Sequence, residues 1–259
     1  MLSLRPYQER GFEQTRALLA SLRAERKRPA VVVVMPTGAG KSREGYAFCE
    51  QPGRAIWIAP GIDLVRQTRE DSADLLGDRA PRVETVQSLS RMLDRGEELP
   101  DVERVIIDEG RWIVGPQWAR IPAVYSARGT EIILLDATPV TAQGRGLGSV
   151  ADGLVDVVGV RELQDLWRAT EGTQGLVPFR VLAPGAQQPE LAARPVDAWL
   201  KHSPGKRTAT FCRDKTHAAE VVADYQREGV PAALLCDETP DRERRRLLGS
   251  KREPGACAR

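Results

Sequence analysis

Apolar residues in this chain follow a helical spacing first and unbroken runs afterwards. Leu18, Leu19 and Leu22 share one face of a helix predicted from about Glu9 to Ala24, which the charged stretch Glu25-Arg26-Lys27-Arg28 and then Pro29 bring to an end. The next six residues, Ala30-Val31-Val32-Val33-Val34-Met35, are apolar without interruption. Continuous rather than alternating apolarity suits a parallel strand covered on both faces. Similar runs recur at Ala55-Ile56-Trp57-Ile58-Ala59, Val83 to Val86, Val105-Ile106-Ile107 and Ile132-Ile133-Leu134-Leu135, with room for helices between them. Strands alternating with helices predict an α/β fold built on βαβ units around a parallel sheet.

The texture changes near Pro139. Gly144, Gly146, Gly148 and Gly153 crowd together, and Pro178, Pro184, Pro189 and Pro195 then punctuate the chain, which reads as a joint between two units. The expected organisation is a first domain over residues 1–140, a linker over 141–195 and a second unit over 196–259. In that second unit, Thr208-Ala209-Thr210-Phe211-Cys212 predicts a strand, Thr216 to Glu228 a helix and Ala232-Ala233-Leu234-Leu235 a further strand. After Leu248 the sequence has neither periodicity nor an apolar face. No internal repeat is evident.

Composition narrows the class without naming a function. The 259 residues are 41% hydrophobic and 29% charged, ordinary for a folded soluble protein, and no apolar run approaches the roughly 20 residues needed to cross a bilayer. Without a secretory segment at the start, the expected location is cytoplasmic, with no membrane partner. Lys and Arg (38) nearly balance Asp and Glu (36), so any nucleic-acid binding must use a local groove. Cys49, Cys212, Cys236 and Cys257 are scattered, with only His202 and His217 to join them, which favours reduced thiols over a zinc site or a disulfide framework.

The strongest chemical signal is Met35-Pro36-Thr37-Gly38-Ala39-Gly40-Lys41-Ser42, set between a strand and a helix. Small residues there let backbone N–H groups turn onto phosphate oxygens. Lys41 is then placed to reach the β/γ-phosphates and Ser42 to help hold Mg²⁺, although Met35 replaces the glycine that opens G-x-x-x-x-G-K-[ST]. A second signal closes the fourth apolar run, where Asp108 would hold Mg²⁺ and Glu109 would orient the attacking water. Acids at strand ends are common, and it is the loop upstream that makes this pair its expected partner.

In order, these segments resemble the motifs of superfamily 2 helicases, the DEAD/DEAH-box and type III restriction-like group. Leu4-Arg5-Pro6-Tyr7-Gln8 resembles the adenine-reading Q motif, and Met35 to Ser42 resembles motif I. Ile58 to Gln67 is similar to motif Ia, Thr85-Val86-Gln87-Ser88-Leu89 to the following strand-end motif, Asp108-Glu109 to motif II and Ala137-Thr138-Pro139 to motif III. Thr210-Phe211-Cys212 resembles motif IV. The resemblance implies a RecA-like lobe followed by a second, incomplete one, with ATP and Mg²⁺ as cofactors. Arg5, Tyr7, Gln8, Thr37, Gly38, Ala39, Gly40, Lys41 and Ser42 would hold the nucleotide, Gln8 at the base edge. Lys41, Asp108 and Glu109 would be catalytic, with Ser42 and Asp108 on the metal. Pro60, Arg66, Gln67, Thr85 and Gln87 would touch DNA or RNA, DNA favoured. Taken alone, Arg66 and Gln67 read better as a solvated helix face, and Thr85 and Gln87 as a strand edge, and it is the resemblance that reverses this; the run Arg242, Arg244, Arg245, Arg246 reads as a solvated, acid-interleaved helix.

Two departures stand out. Motif II reads Asp108-Glu109-Gly110-Arg111, and Asp136 stands where motif III usually offers a hydroxyl. An Arg111–Asp136 ion pair is one reading, carrying with Thr138 the coupling between nucleotide and motif III; independent drift is the other. Motifs V and VI, with their arginines, do not appear. An arginine finger supplies ~10³–10⁵ in kcat, so weak or absent hydrolysis by the chain alone is expected, with a missing C-terminal lobe or a partner subunit to complete the site. The alternative is a non-catalytic nucleotide- or nucleic-acid-binding remnant or subunit of a larger assembly.

Overall fold

A computed structural model describes residues 2–141, 143–179 and 194–248. The chain divides into two units, Met1–Phe179 and Arg180–Arg259. In the first, six parallel strands form one sheet: β1 (Ala30–Val34), β2 (Ala55–Ala59), β3 (Arg82–Thr85), β4 (Arg104–Asp108), β5 (Glu131–Asp136) and β6 (Gly153–Asp156), in the order β3-β2-β4-β5-β1-β6. This is the RecA-like α/β fold.

The unbroken apolar runs are the central strands, and each strand feeds both faces of the sheet. Val31, Val33, Trp57, Ile106, Ile133 and Leu135 enter one core, against the helices α1 (Pro6–Ala24), α2 (Lys41–Cys49) and α3 (Ile62–Leu76). Val32, Ile56, Ile58, Val105, Ile107, Ile132 and Leu134 enter the other, beneath α4 (Val86–Asp94) and α5 (Arg120–Ala127). Burial on both sides favours apolar side chains at successive positions through the middle of these strands, which is why alternation is absent.

Three sequence expectations change. Helix α1 starts at Pro6, ahead of the expected Glu9, because proline is suited to a first turn whose N–H groups have no helical acceptor. The first unit also runs past the boundary expected at residue 140. Strand β6 pairs with β1, and α6 (Val160–Ala169) buries Leu163 in the first core. Arg28 anchors the approach to β6, donating to the Asp152 carboxylate and to the carbonyls of Gly148 and Ser149.

The third change concerns the second unit. Its described residues contain α7 (Pro195–His202) and α8 (Lys215–Arg227), which share a small cluster of Val196, Val221 and Tyr225, and α9 (Asp241–Leu248). Helix α8 answers the expected Thr216–Glu228. Neither Thr208–Cys212 nor Ala232–Leu235 forms a strand: no ladder joins them, and Phe211 is 92% exposed. β-type residues need neighbouring strands and a covered face to make a sheet, and two short segments supply neither. The expected featureless tail from Gly249 and the whole Pro184–Pro189 stretch lie outside the described residues.

Among the described residues no helix is long and apolar enough to cross a membrane. Cys49, Cys212 and Cys236 are free thiols, and burial raises Cys49 to about 12.

Candidate functional site

Parallel strands present their C-terminal ends to one edge of the sheet, where ligands of open α/β folds bind. At this edge β1 leads into the loop Met35–Gly40, β4 ends in Asp108 and β5, lying between them, ends in Asp136. Thr37 and Gly38 are exposed, Ala39 is buried, and Lys41 and Ser42 open α2 with Ser42 exposed on its first turn. Gly40 caps that helix at φ +88°, and a Cβ there would stand 2.5 Å from Gln8 Nε2, so only glycine fits.

The segment Arg5-Pro6-Tyr7-Gln8 braces this loop. Tyr7 Oη donates to the Ala39 carbonyl at 2.9 Å and Arg5 Nη1 donates to Tyr7 Oη at 3.0 Å. Gln8 Nε2 donates to the carbonyls of Ala39 (3.2 Å) and Gly40 (3.1 Å), while its Oε1 accepts the Arg5 backbone N–H at 2.9 Å. Gln8 is almost wholly buried. Both amide protons and the amide oxygen are therefore engaged within the protein.

Asp108 is the titrating group of the site. Burial raises it to about 6, aided by the adjacent Glu109 charge and opposed by Lys41 and by the Glu109 backbone N–H, which donates to Asp108 Oδ1 at 3.0 Å. The opposing influence of Lys41 shows that loop and acid share one electrostatic neighbourhood. Glu109 sits at φ +53°, a conformation rare outside glycine and typical of functional turns. Its Oε2 is buried without a hydrogen bond of good geometry, although Arg111 Nη2 approaches to 2.7 Å as an ion pair.

Arg111 also meets Asp136. Its Nη1 donates to Asp136 Oδ1 at 2.8 Å and its backbone N–H to Oδ2 at 2.7 Å, and the Thr138 N–H donates to Oδ1 at 2.8 Å. The three residues expected to couple the site to motif III are thus in direct contact. The link from Arg111 to Glu109 was not foreseen; the only hint in the sequence was their separation by one glycine.

The expected nucleic-acid residues gather less tightly. Gln87 Nε2 donates to the Pro60 carbonyl at 3.3 Å, and Thr85 Oγ1 caps α4 by accepting the Ser88 N–H at 3.0 Å. Pro60, Asp108, Glu109 and Trp112 line one shallow hollow, which places this face beside the strand-end acids. Arg66 and Gln67 bond within α3, to Asp63 (3.2 Å) and Asp71 (3.3 Å).

The donors present fit a magnesium nucleotide. A helix start with an adjoining lysine suits phosphate, and the oxygen ligands of Ser42 and Asp108 suit a hard cation that keeps part of its water shell. Glu44, only two residues beyond Ser42, is a buried carboxyl with neither oxygen hydrogen-bonded, raised by burial to about 8; nothing in its helical setting had marked it.

Comparison with known proteins bears on the fold and on the family. S. cerevisiae Dbp5, in a structure bound to RNA and ADP BeF3, aligns over 95% of this chain and 71% of its own at 14% identity and a TM-score of 0.54. The Pyrococcus furiosus Hef helicase domain aligns over 58% of this chain at 21% identity (TM-score 0.46), and the UvsW helicase of bacteriophage T4 over 59% at 13% identity (TM-score 0.42). The chain spans 37% of the Hef chain and 59% of the UvsW chain. No curated protein matches it significantly. Residues 1–140, more than half of the chain, match the family model "Type III restriction enzyme, res subunit", and the protein belongs to that family of superfamily 2 helicase-like proteins.

Proposed function

We propose that the chain binds ATP with Mg²⁺ on the loop Thr37–Ser42 and is the nucleotide-binding part of a nucleic-acid-dependent ATPase of helicase type. The observation that carries this reading is the pairing, at one sheet edge, of the Gly40-Lys41-Ser42 helix start with Asp108, whose ionisation Lys41 favours. In this reading the backbone N–H groups of the loop and Lys41 Nζ hold the phosphates, and Tyr7 and Gln8 keep the loop in shape from behind. Ser42 and Asp108 would hold Mg²⁺, which when bound offsets phosphate charge. Glu109 orients the attacking water, and Arg111 fixes the direction of the Glu109 carboxylate. Pro60, Thr85 and Gln87 contact a nucleic-acid strand, DNA favoured, with Arg66 and Gln67 on the following helix turning outward to join them.

The Dbp5 alignment over 95% of the chain supports reading the second unit as the start of a second lobe of the same kind. The sequence holds no motif VI arginine, so hydrolysis by residues 1–259 alone is slow, and a further lobe or subunit completes the site. The test is ATP turnover by the purified chain with and without single- or double-stranded DNA or RNA. The expected result is nucleotide binding with turnover near background under all conditions; robust nucleic-acid-stimulated turnover by the chain alone contradicts the need for a completing arginine.

A further inference from the structure

The short turn that follows the strand-end acids does two things at once. Residues Gly110–Val114 form one 3₁₀ stretch in which Ile113 is buried in the second core while its neighbour Trp112 is 54% exposed. The turn has little freedom to move. A Cβ on Gly110 would stand 2.9 Å from Leu134 Cβ, and the Trp112 N–H donates to the Glu109 carbonyl at 3.1 Å. A large flat ring is therefore held in water on a rigid base. Each of the other tryptophans is less open than this one, and no aromatic ring or cation stacks on Trp112 among the described residues.

Trp112 lines the shallow hollow described above together with Pro60 and the apolar Val86 and Ile107. Asp108 and Glu109 line it too, and their carboxylates repel phosphate from that part of the face. The neighbouring helix carries the opposite charge. Gln87, whose amide bonds the Pro60 carbonyl, lies in the first turn of α4, and Arg91 follows one turn later on the same helix. Arg91 is exposed, and its Nε donates to the Gln87 carbonyl at 3.3 Å. Among the described residues its two terminal nitrogens have neither a carboxylate nor a hydrogen-bond acceptor. The face is thus negative at the strand ends and positive along α4, with an uncharged ring open to solvent beside the hollow.

We infer that this face takes a single strand of nucleic acid in preference to a duplex, with a base stacked on the Trp112 indole and a neighbouring phosphate held by Arg91. The inference rests on the nucleic-acid reading given above and adds to it two residues that lie outside every motif identified in the sequence. A duplex buries the faces of its bases against one another, so an indole meets one only at an end. A single strand offers those faces along its length, and aromatic rings are the usual platform for them. The acids turn the phosphates toward α4, which leaves the bases to meet the ring. Every base has such a face, so the selection is for strandedness and not for sequence.

Fluorescence anisotropy of the full chain tests this with three labelled probes of equal length: oligodeoxythymidine, a blunt DNA duplex and a strand whose sites are abasic. The wild type is expected to bind oligodeoxythymidine at least about fivefold more tightly than either other probe. Trp112→Ala, at an exposed position, should lose at least about fivefold on oligodeoxythymidine and nothing on the abasic strand, and Trp112→Phe should recover most of the loss. Arg91→Ala should weaken both single strands alike and reduce the slope of log affinity against log salt by about 0.7. Equal affinity of the wild type for single strand and duplex overturns the inference while the nucleic-acid reading stands. So does unchanged binding of oligodeoxythymidine by Trp112→Ala, which would leave the ring to a protein contact, or a loss in that variant that extends equally to the abasic strand. If the wild type binds none of the probes, the nucleic-acid reading fails and this inference falls with it.

Discussion

Arg111 and Asp136 meet in a two-point contact, Nη1 to Oδ1 at 2.8 Å and backbone N–H to Oδ2 at 2.7 Å, with the Asp136 side chain fully buried at the end of β5. Arg111 reaches Glu109 with its other terminal nitrogen, and Asp136 takes the Thr138 N–H. One guanidinium and one carboxylate therefore span the distance from the strand-end acids to the turn after β5. Two departures from the family pattern, 25 residues apart in sequence, are physically a single feature.

A double-mutant cycle measures that pair. Arg111→Ala, Asp136→Ala and the double variant, unfolded in urea, should show a coupling energy above about 0.5 kcal/mol. Asp136→Ala should be the costlier single change, by about 2–4 kcal/mol, because it also strands the N–H groups of Arg111 and Thr138. Additive single effects would mean that the two substitutions are independent.

Asp108 titrates where function can report it. Its folded value of about 6 lies above the usual 3.8, so the carboxylate that would take Mg²⁺ forms only as the pH rises through about 6. ATP–Mg affinity should increase from about pH 5 to about pH 7, and the increase should vanish in Asp108→Asn. A flat wild-type profile would show that Asp108 takes no part in metal binding. Fold stability moves in the opposite direction, since a raised carboxyl loses part of its contribution as it ionises.

Glu44 carries the same sign on a larger scale. Its folded value near 8, against 4.5 in the unfolded chain, means that the folded state keeps a proton the unfolded state has released. Stability is full below about pH 4.5 and declines as the pH rises to about 8, by an amount on the order of 2–4 kcal/mol. Glu44→Gln should remove that slope and raise the melting temperature at pH 8. Thermal unfolding of both proteins across this range decides the matter, and parallel pH profiles would refute it.

The sheet was legible wherever burial on both faces wrote an unbroken apolar run, as in Ala30–Val34 or in Ile132 to Leu135. β6 was not, because Gly153-Leu154-Val155-Asp156 lies at an edge with Leu154 exposed, and it is held in place by Arg28 from a distant part of the chain. Thr208–Cys212 failed in the opposite sense: the residue types favour a strand, but no neighbouring strand among the described residues satisfies its backbone. The phosphate loop could be read because its chemistry is local to eight consecutive residues. The engagement of Gln8 depends on carbonyls 31 and 32 residues away, and no local pattern encodes it. No sequence pattern singles out Glu44, and only the packing of α2 shows that it is buried.

The central claim is that Lys41 and the loop before it hold the phosphates of ATP. Isothermal titration of the full chain with ATP and Mg²⁺, wild type against Lys41→Ala, tests it most directly. The wild type should bind with a Kd in the micromolar range and the variant at least about 100-fold more weakly, with both proteins melting at the same temperature. Equal affinity in the two proteins, or no binding by the wild type, would contradict the account.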